Sequence, residues 1–271
     1  MLIERNEVES SYLRVREIAV SAVRKLLATR PALRLLYPDF DEPTLAILGQ
    51  VLPYTMTSPP RIAAVCSAVR YVEVNNIPGA FVECGVWKGG SSMAAALTFK
   101  SPRPLFLYDT FEGMTSPTDH DRLATSGKLA AHMFPKSHNG RSSWCYSPLN
   151  EVKRNMDSTG YPAEQVTYVR GKVEDTIPDT KPDRIAILRL DTDWYESTRH
   201  ELVHLYPRVS PGGVLIIDDY GYWTGSRKAV DEYFGGSVFL NRIDDTGRIA
   251  IKPLQPSAGT NLARGSTDAH N

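Results

Sequence analysis

The run LRLDTDWYES, residues 188–197, carries an apolar stretch straight into two aspartates spaced one apart, Asp191 and Asp193. Further on, GVLIIDDYGY repeats the pattern and ends its apolar run in Asp218 and Asp219. A single acid at a strand end is an ordinary cap or turn residue. Two pairs on consecutive strand ends raise one another's pKa values unless something positive joins them. Oxygen-only ligands favour Mg²⁺, Mn²⁺ or Ca²⁺ over zinc. An ion held there could bind a substrate hydroxyl and lower its pKa, as it does for bound water. A spare carboxylate could then take the proton.

A second constellation lies in FVECGVWKGGSS, an apolar run that meets Glu83, then a loop with Gly85, Gly89 and Gly90, then a helix start. Glycines let the backbone approach a ligand closely, and a helix N-terminus favours a carboxylate or phosphate. The spacing is G-x-x-x-G-G and not the dinucleotide pattern G-x-G-x-x-G. An acid before the loop would repel a pyrophosphate but could accept a hydrogen bond from an ammonium. S-adenosylmethionine, with its carboxylate, ammonium and sulfonium, suits the loop better; the competing reading is a tight turn with no ligand. In LYDTFEGM, Asp109 ends the next apolar run, where an acid commonly holds a ribose diol. Alone it would read as a cap; its conjunction with the glycine loop raises the functional reading.

These residues need a scaffold that brings strand ends together. AFVECG (80–85), PLFLYDTF (104–111), QVTYVRG (165–171), RIAILRLD (184–191) and GVLIIDD (213–219) read as five strands. Helical segments alternate with them: SSMAAALTF after the first strand, LNEVKRNMDSTG before the third, and YESTRHELVHLYPRVSPGG, ending at Pro-Gly-Gly, between the last two. SVFLNRIDDTGRIAIKP reads as a terminal hairpin turning at Asp245-Thr246-Gly247. The alternation predicts a mostly parallel, doubly wound α/β sheet with a terminal antiparallel hairpin. In such a sheet, ligands bind beyond the carboxyl ends of the strands, and Glu83, Asp109 and all four aspartates lie at such ends.

Upstream, SYLRVREIAVSAVRKLLATR (11–30) has one apolar face and an Arg-rich one, as expected of a helix packed on its own domain or a second subunit. Residues 1–60 are expected to form a helical extension or lid, and 61–253 the catalytic domain. The polar stretch 112–147 is too long for a plain connection and reads as a lid or substrate loop. The tail 254–271 reads as disordered.

Lys+Arg and Asp+Glu balance at 31 each, which gives no support for nucleic-acid or membrane-surface binding. The charged start has no apolar signal core, and three cysteines without a close pair argue against a disulfide framework, so a cytoplasmic, reduced protein is expected. His200 and His204 are one helical turn apart, but no third zinc ligand follows and they read as a helix face. No serine-hydrolase or P-loop signature appears.

At the level of whole motifs the chain resembles the macrocin O-methyltransferase family of antibiotic-sugar methyltransferases. The resemblance rests on YTMTSPPR, VECGVWKGGSS, YDTFEGM, GKVEDTIP, the block from LRLDTDWYEST to GGVLIIDDYGYW, and SRKAVDEYF. It implies a Rossmann-like class I methyltransferase using S-adenosylmethionine and Mg²⁺. By that resemblance the methionine part is held by Glu83, Cys84, Gly85, Val86 and Trp87, with Thr55 and Met56 closing over it. Asp109 holds the ribose, Val173 and Asp175 flank the adenine, and Ser91, Thr110 and Ser147 belong to the same cofactor site. Asp191, Asp218 and Asp219 hold the metal, and Asp193, beside Asp191, is the catalytic base. The implied acceptor is a sugar hydroxyl on a glycosylated natural product, and the implied assembly a homodimer or larger oligomer. From the residues alone, D-x-D after an apolar strand also suits a metal-dependent phosphohydrolase or a nucleotide-sugar glycosyltransferase. A non-catalytic relative that only binds S-adenosylmethionine is the third reading.

Overall fold

The computed structural model describes residues 29–134 and 144–254. The helix expected over 11–30 lies outside these but for its last two residues, as does the expected tail beyond Leu254. A seven-stranded sheet runs in the order β3-β2-β1-β4-β5-β7-β6. Its strands are β1 Ala80–Cys84, β2 Leu105–Asp109, β3 Val166–Arg170, β4 Ile185–Leu190, β5 Val209–Ile217, β6 Asn241–Arg242 and β7 Arg248–Ile251. The first five are parallel, and β7 pairs antiparallel with both β5 and β6. The doubly wound sheet with a terminal hairpin is therefore as the alternation predicts.

Helices α1 Arg30–Leu36, α2 Glu42–Val51, α3 Pro59–Val74, α4 Gly90–Thr98, α5 Leu149–Asp157, α6 Val173–Thr176, α7 Tyr195–Leu205 and α8 Thr224–Phe234 cover the sheet. Ser58 caps α3, with Pro59 and Pro60 in its first turn, where missing N–H groups cost nothing. Helix α7 is shorter than expected. It stops at Leu205, because Pro207 has no N–H with which to continue the ladder, and Pro211-Gly212-Gly213 falls inside β5.

Period-two alternation divides the core. Phe81, Ile187 and Ile216 pack on one face with α2, α3 and α4, including Leu45 and Leu48 of the 1–60 segment. Val82, Leu188 and Leu215 face the other way, against α7 and α8. Two residues further along each strand, the first face carries Glu83, Arg189 and Asp218 at the carboxyl ends. The strand order reverses between β1 and β4, which opens the crevice that such sheets use for ligands.

Candidate functional site

A cavity of about 460 Å³ sits over this crevice. Gly85 has φ +83°, and a Cβ there would collide with the Asp191 carbonyl, so only glycine lets the ends of β1 and β4 approach this closely. Gly85, Val86, Trp87 and Ser91 line one end, with Thr55 and Met56 over them. Gly90 allows that contact, since a Cβ would lie 2.7 Å from the Tyr54 carbonyl. Asp109, Thr110 and Val173 line the adjoining wall. The side chains of Cys84, Ser147 and Asp175 do not line the cavity. Cys84 points into the opposite face of the sheet, the Ser147 hydroxyl turns to Glu151, and Asp175 faces solvent on α6 while Glu174 lines the wall.

Asp109 lines the cavity and binds backbone amides on both sides of it. One oxygen accepts the Val86 and Trp87 amides at 2.8 and 2.9 Å, and the other accepts Phe111 N–H at 2.7 Å. Trp87 and Phe111 both hold positive φ, 47° and 53°, so this carboxylate pins two strained loops at the cavity wall. Burial pushes its pKa up, and the three amides pull it partly back.

Part of the acid cluster is neutralised from within the chain. Arg189, 1% exposed, donates to Glu83 and Asp191 at 2.6 Å each, to Thr57 at 2.8 Å and to Asp218. Arg61 takes the other Asp218 oxygen and reaches Asp244 in the β6–β7 turn at 3.0 Å. Burial alone would depress the Arg189 pKa, but Asp191, Asp218 and Glu83 hold it well above the usual value. Glu83, whose other oxygen accepts from Ser92, is pushed up by burial and drawn back by Arg189. The acid before the glycine loop is thus committed to this network while it forms part of the cavity floor.

Asp191, Asp193 and Asp219 form a different group: one oxygen from each lies within 4.8 Å of the others. Among the described residues neither Asp193 nor Asp219 has an ion-pair partner, and no donor reaches the buried Oδ2 of Asp219. Burial pushes Asp193 up to about 7, and burial followed by repulsion from Asp193 and Asp218 pushes Asp219 well above the carboxylate range. Three carboxylates that close, one with an orphaned oxygen, fit a hard divalent cation. Asp218 stands apart, since both its oxygens are held by arginines.

Comparison with known proteins decides between the readings. Residues 29–248 match the family model for Macrocin-O-methyltransferase (TylF). The chain belongs to the macrocin-O-methyltransferase family. It is 34% identical, over 81% of its length and 86% of the relative's, to 8-demethyl-8-(2,3-dimethoxy-alpha-L-rhamnosyl)-tetracenomycin-C 4'-O-methyltransferase of Streptomyces olivaceus. It is 33% identical to mycinamicin III 3''-O-methyltransferase of Micromonospora griseorubida, over 71% of this chain and 72% of that one. Among solved structures, the O-methyltransferase NovP superposes with a TM-score of 0.65 at 31% identity, covering 74% of this chain and 82% of that one. Membership of the macrocin-O-methyltransferase family removes the phosphohydrolase and glycosyltransferase readings of the D-x-D motif.

Sequence reasoning about this macrocin-O-methyltransferase chain missed several buried polar residues. Arg189 had a visible signal, a lone charge inside the otherwise apolar IAILRL strand, all six residues of which are buried. Asp121, 0% exposed, accepts Thr118 N–H at 2.7 Å and caps α7 through Tyr195 N–H at 2.8 Å, anchoring part of the 112–147 loop. Glu201, next to His200 on α7, is fully buried behind Thr192. Trp194 and Tyr195 do not line the cavity, whereas Tyr222, Trp223 and Trp144 do. Trp194 instead packs edge-on against Trp223, with ring centroids 5.0 Å apart. No helix among the described residues is long and apolar enough to cross a membrane.

Proposed function

We propose that this chain transfers a methyl group from S-adenosylmethionine to a sugar hydroxyl of a glycosylated natural product, assisted by a divalent cation, Mg²⁺ first among them. The observation that carries the reading is the convergence of Asp191, Asp193 and Asp219 at one part of a cavity whose other end is the glycine loop. The relatives are named for methylating a rhamnosyl tetracenomycin C, demethyldecarbamoylnovobiocin and mycinamicin III, and the acceptor class is taken from them.

Bound in the cavity, S-adenosylmethionine would supply an electrophilic methyl group on its sulfonium. The amides of the Gly85–Trp87 loop and the N-terminus of α4 would receive its carboxylate end. Asp109, with lone pairs left beside the amides it binds, would take the ribose hydroxyls. A divalent ion would supply Lewis acidity to the acceptor oxygen. Asp191 and Asp219 would hold it, with Asp218 joining through an oxygen now shared with an arginine. Asp193 is then the carboxylate left over. Its pKa, pushed up by burial, suits a group that accepts a proton near neutrality. Met114, Tyr222 and Trp223 would shield the reacting centre from water, and the described parts of 112–147 would act as its lid.

The test is Asp193→Asn, assayed with methyl-labelled S-adenosylmethionine against rhamnosylated polyketides and macrolides, with calorimetry of cofactor binding alongside. The reading requires turnover to fall by at least about a thousandfold, within the range for losing a positioned base, while S-adenosylmethionine affinity is kept. It also requires EDTA to abolish turnover and Mg²⁺ to restore it. Full activity in EDTA would remove the metal from the scheme; an active Asp193→Asn would remove the base.

A further inference from the structure

The last residue of the D-x-D segment has unusual geometry. Asp193 holds φ +69°, and Trp194 N–H donates to the Thr192 carbonyl at 2.8 Å, closing a three-residue turn around it. A γ-turn with positive φ at its centre is rare and strained, and persists only where its surroundings over-determine it. The strand side is fixed by Asp191 N–H, which donates to the Cys84 carbonyl at 2.8 Å. Behind the turn, Thr192 Oγ1 donates to Glu201 Oε1 at 2.9 Å.

Glu201 is an odd choice for its place on α7. It is 0% exposed, its Oε2 has no hydrogen-bond partner among the described residues, and it abuts the Cys84 thiol. A leucine or methionine would fill this space without burying a carboxyl group. Its Oε1 accepts from Thr192, the residue between the two aspartates of the motif.

We propose that Glu201 is a positioning residue: through Thr192 Oγ1 it holds the strained turn that aims the Asp193 carboxylate at the acceptor. The inference rests on the reading of Asp193 as the base, and deepens it by naming what fixes that base in place. Glu201 does not line the cavity, so its influence on the site runs through the loop. Ser197 Oγ, at 3.4 Å from the Thr192 carbonyl, gives weaker support on the same side.

Three single variants, one double variant and one structure test this. Glu201→Leu and Thr192→Val each remove one half of the tether, and Glu201→Gln keeps an acceptor oxygen. Both tether-breaking variants should lower kcat by about ten- to a hundredfold, the scale for a reacting group misplaced by about 1 Å. S-adenosylmethionine affinity and acceptor KM should change little. Glu201→Gln should restore most of the rate, and the double variant Thr192→Val/Glu201→Leu should be no slower than either single one. A residue that merely fills space would lower Tm and leave kcat of the folded enzyme unchanged. A crystal structure of Thr192→Val, a near-isosteric change in a loop, reads the turn without any acceptor or metal and still decides the matter if Glu201→Leu fails to fold. Residue 193 is expected to leave the left-handed region. An unmoved turn, or full kcat in both tether-breaking variants, overturns the inference. If the turn relaxes in Thr192→Val but Asp193→Asn remains active, the tether stands and the assignment of the base falls.

Discussion

Replacing Arg189 by methionine tests the charge network most directly. The side chain is 1% exposed and faces Glu83 at 2%, Asp218 at 5% and Asp191 at 24%. Methionine fills similar volume, so the loss is electrostatic and not a cavity. Removing one partner of a buried ion pair costs about 3–5 kcal/mol, because the remaining charge is left uncompensated. Against a total stability of about 5–15 kcal/mol that is a large fraction. At about 2–4 °C per kcal/mol for a chain of this size, Tm should fall by about 6–20 °C at pH 7. The carboxylates left behind can escape the cost by taking up protons. Glu83 already has a raised folded pKa, and losing Arg189 raises it further. A group whose folded pKa exceeds its unfolded one contributes stability below the unfolded pKa and loses it as pH rises. The gap between wild type and Arg189→Met should therefore narrow from pH 8 to pH 5. Calorimetric melts across that range, with and without Mg²⁺, read it. The reasoning fails if the variant loses less than about 1 kcal/mol at pH 7, well below the range for an orphaned buried charge, or if the gap is the same at every pH.

Gly85→Ala should all but abolish S-adenosylmethionine binding in a calorimetric titration, because a Cβ would strike the Asp191 carbonyl and force β1 and β4 apart; wild-type affinity would mean that the crevice is not the cofactor site. Burial holds the Glu201 pKa well above the usual carboxylate value, so the folded state keeps a proton that the unfolded state releases near pH 4. Wild-type stability should then fall relative to Glu201→Gln by about 1.4 kcal/mol per pH unit between the two pKa values. Parallel denaturant melts at pH 5 and pH 8 check this, and curves that keep a constant offset would mean that Glu201 is ionised in the fold.

The sequence by itself determined the parts that depend on local pattern. Apolar runs of strand length, alternating with helical ones, specify a parallel sheet, because each run can be buried only between two layers of helices. Acids placed just after those runs had to fall at the carboxyl edge, so Glu83, Asp109, Asp191, Asp193, Asp218 and Asp219 were legible as one cluster. The boundary of α7 was less legible, since Pro-Gly-Gly signals a break but cannot tell a loop from the first residues of β5. Tertiary structure alone decided which acids meet which partners. Register pairs Glu83 with Arg189 across β1 and β4, and Arg189 with Ile216 across β4 and β5. The side-chain period of two then places Glu83, Arg189, Asp191 and Asp218 on one face. A slip of one residue would have sent Arg189 into the apolar layer under α7. The arginines hold both oxygens of Asp218, while Asp191, which gives one oxygen to Arg189, converges with Asp193 and Asp219, a division that spacing along the chain does not encode. The left-handed turn at Asp193 and the buried carboxyl behind it are likewise products of packing. Both exist because three separate segments, β1, the D-x-D loop and α7, press on one another where the strand order reverses.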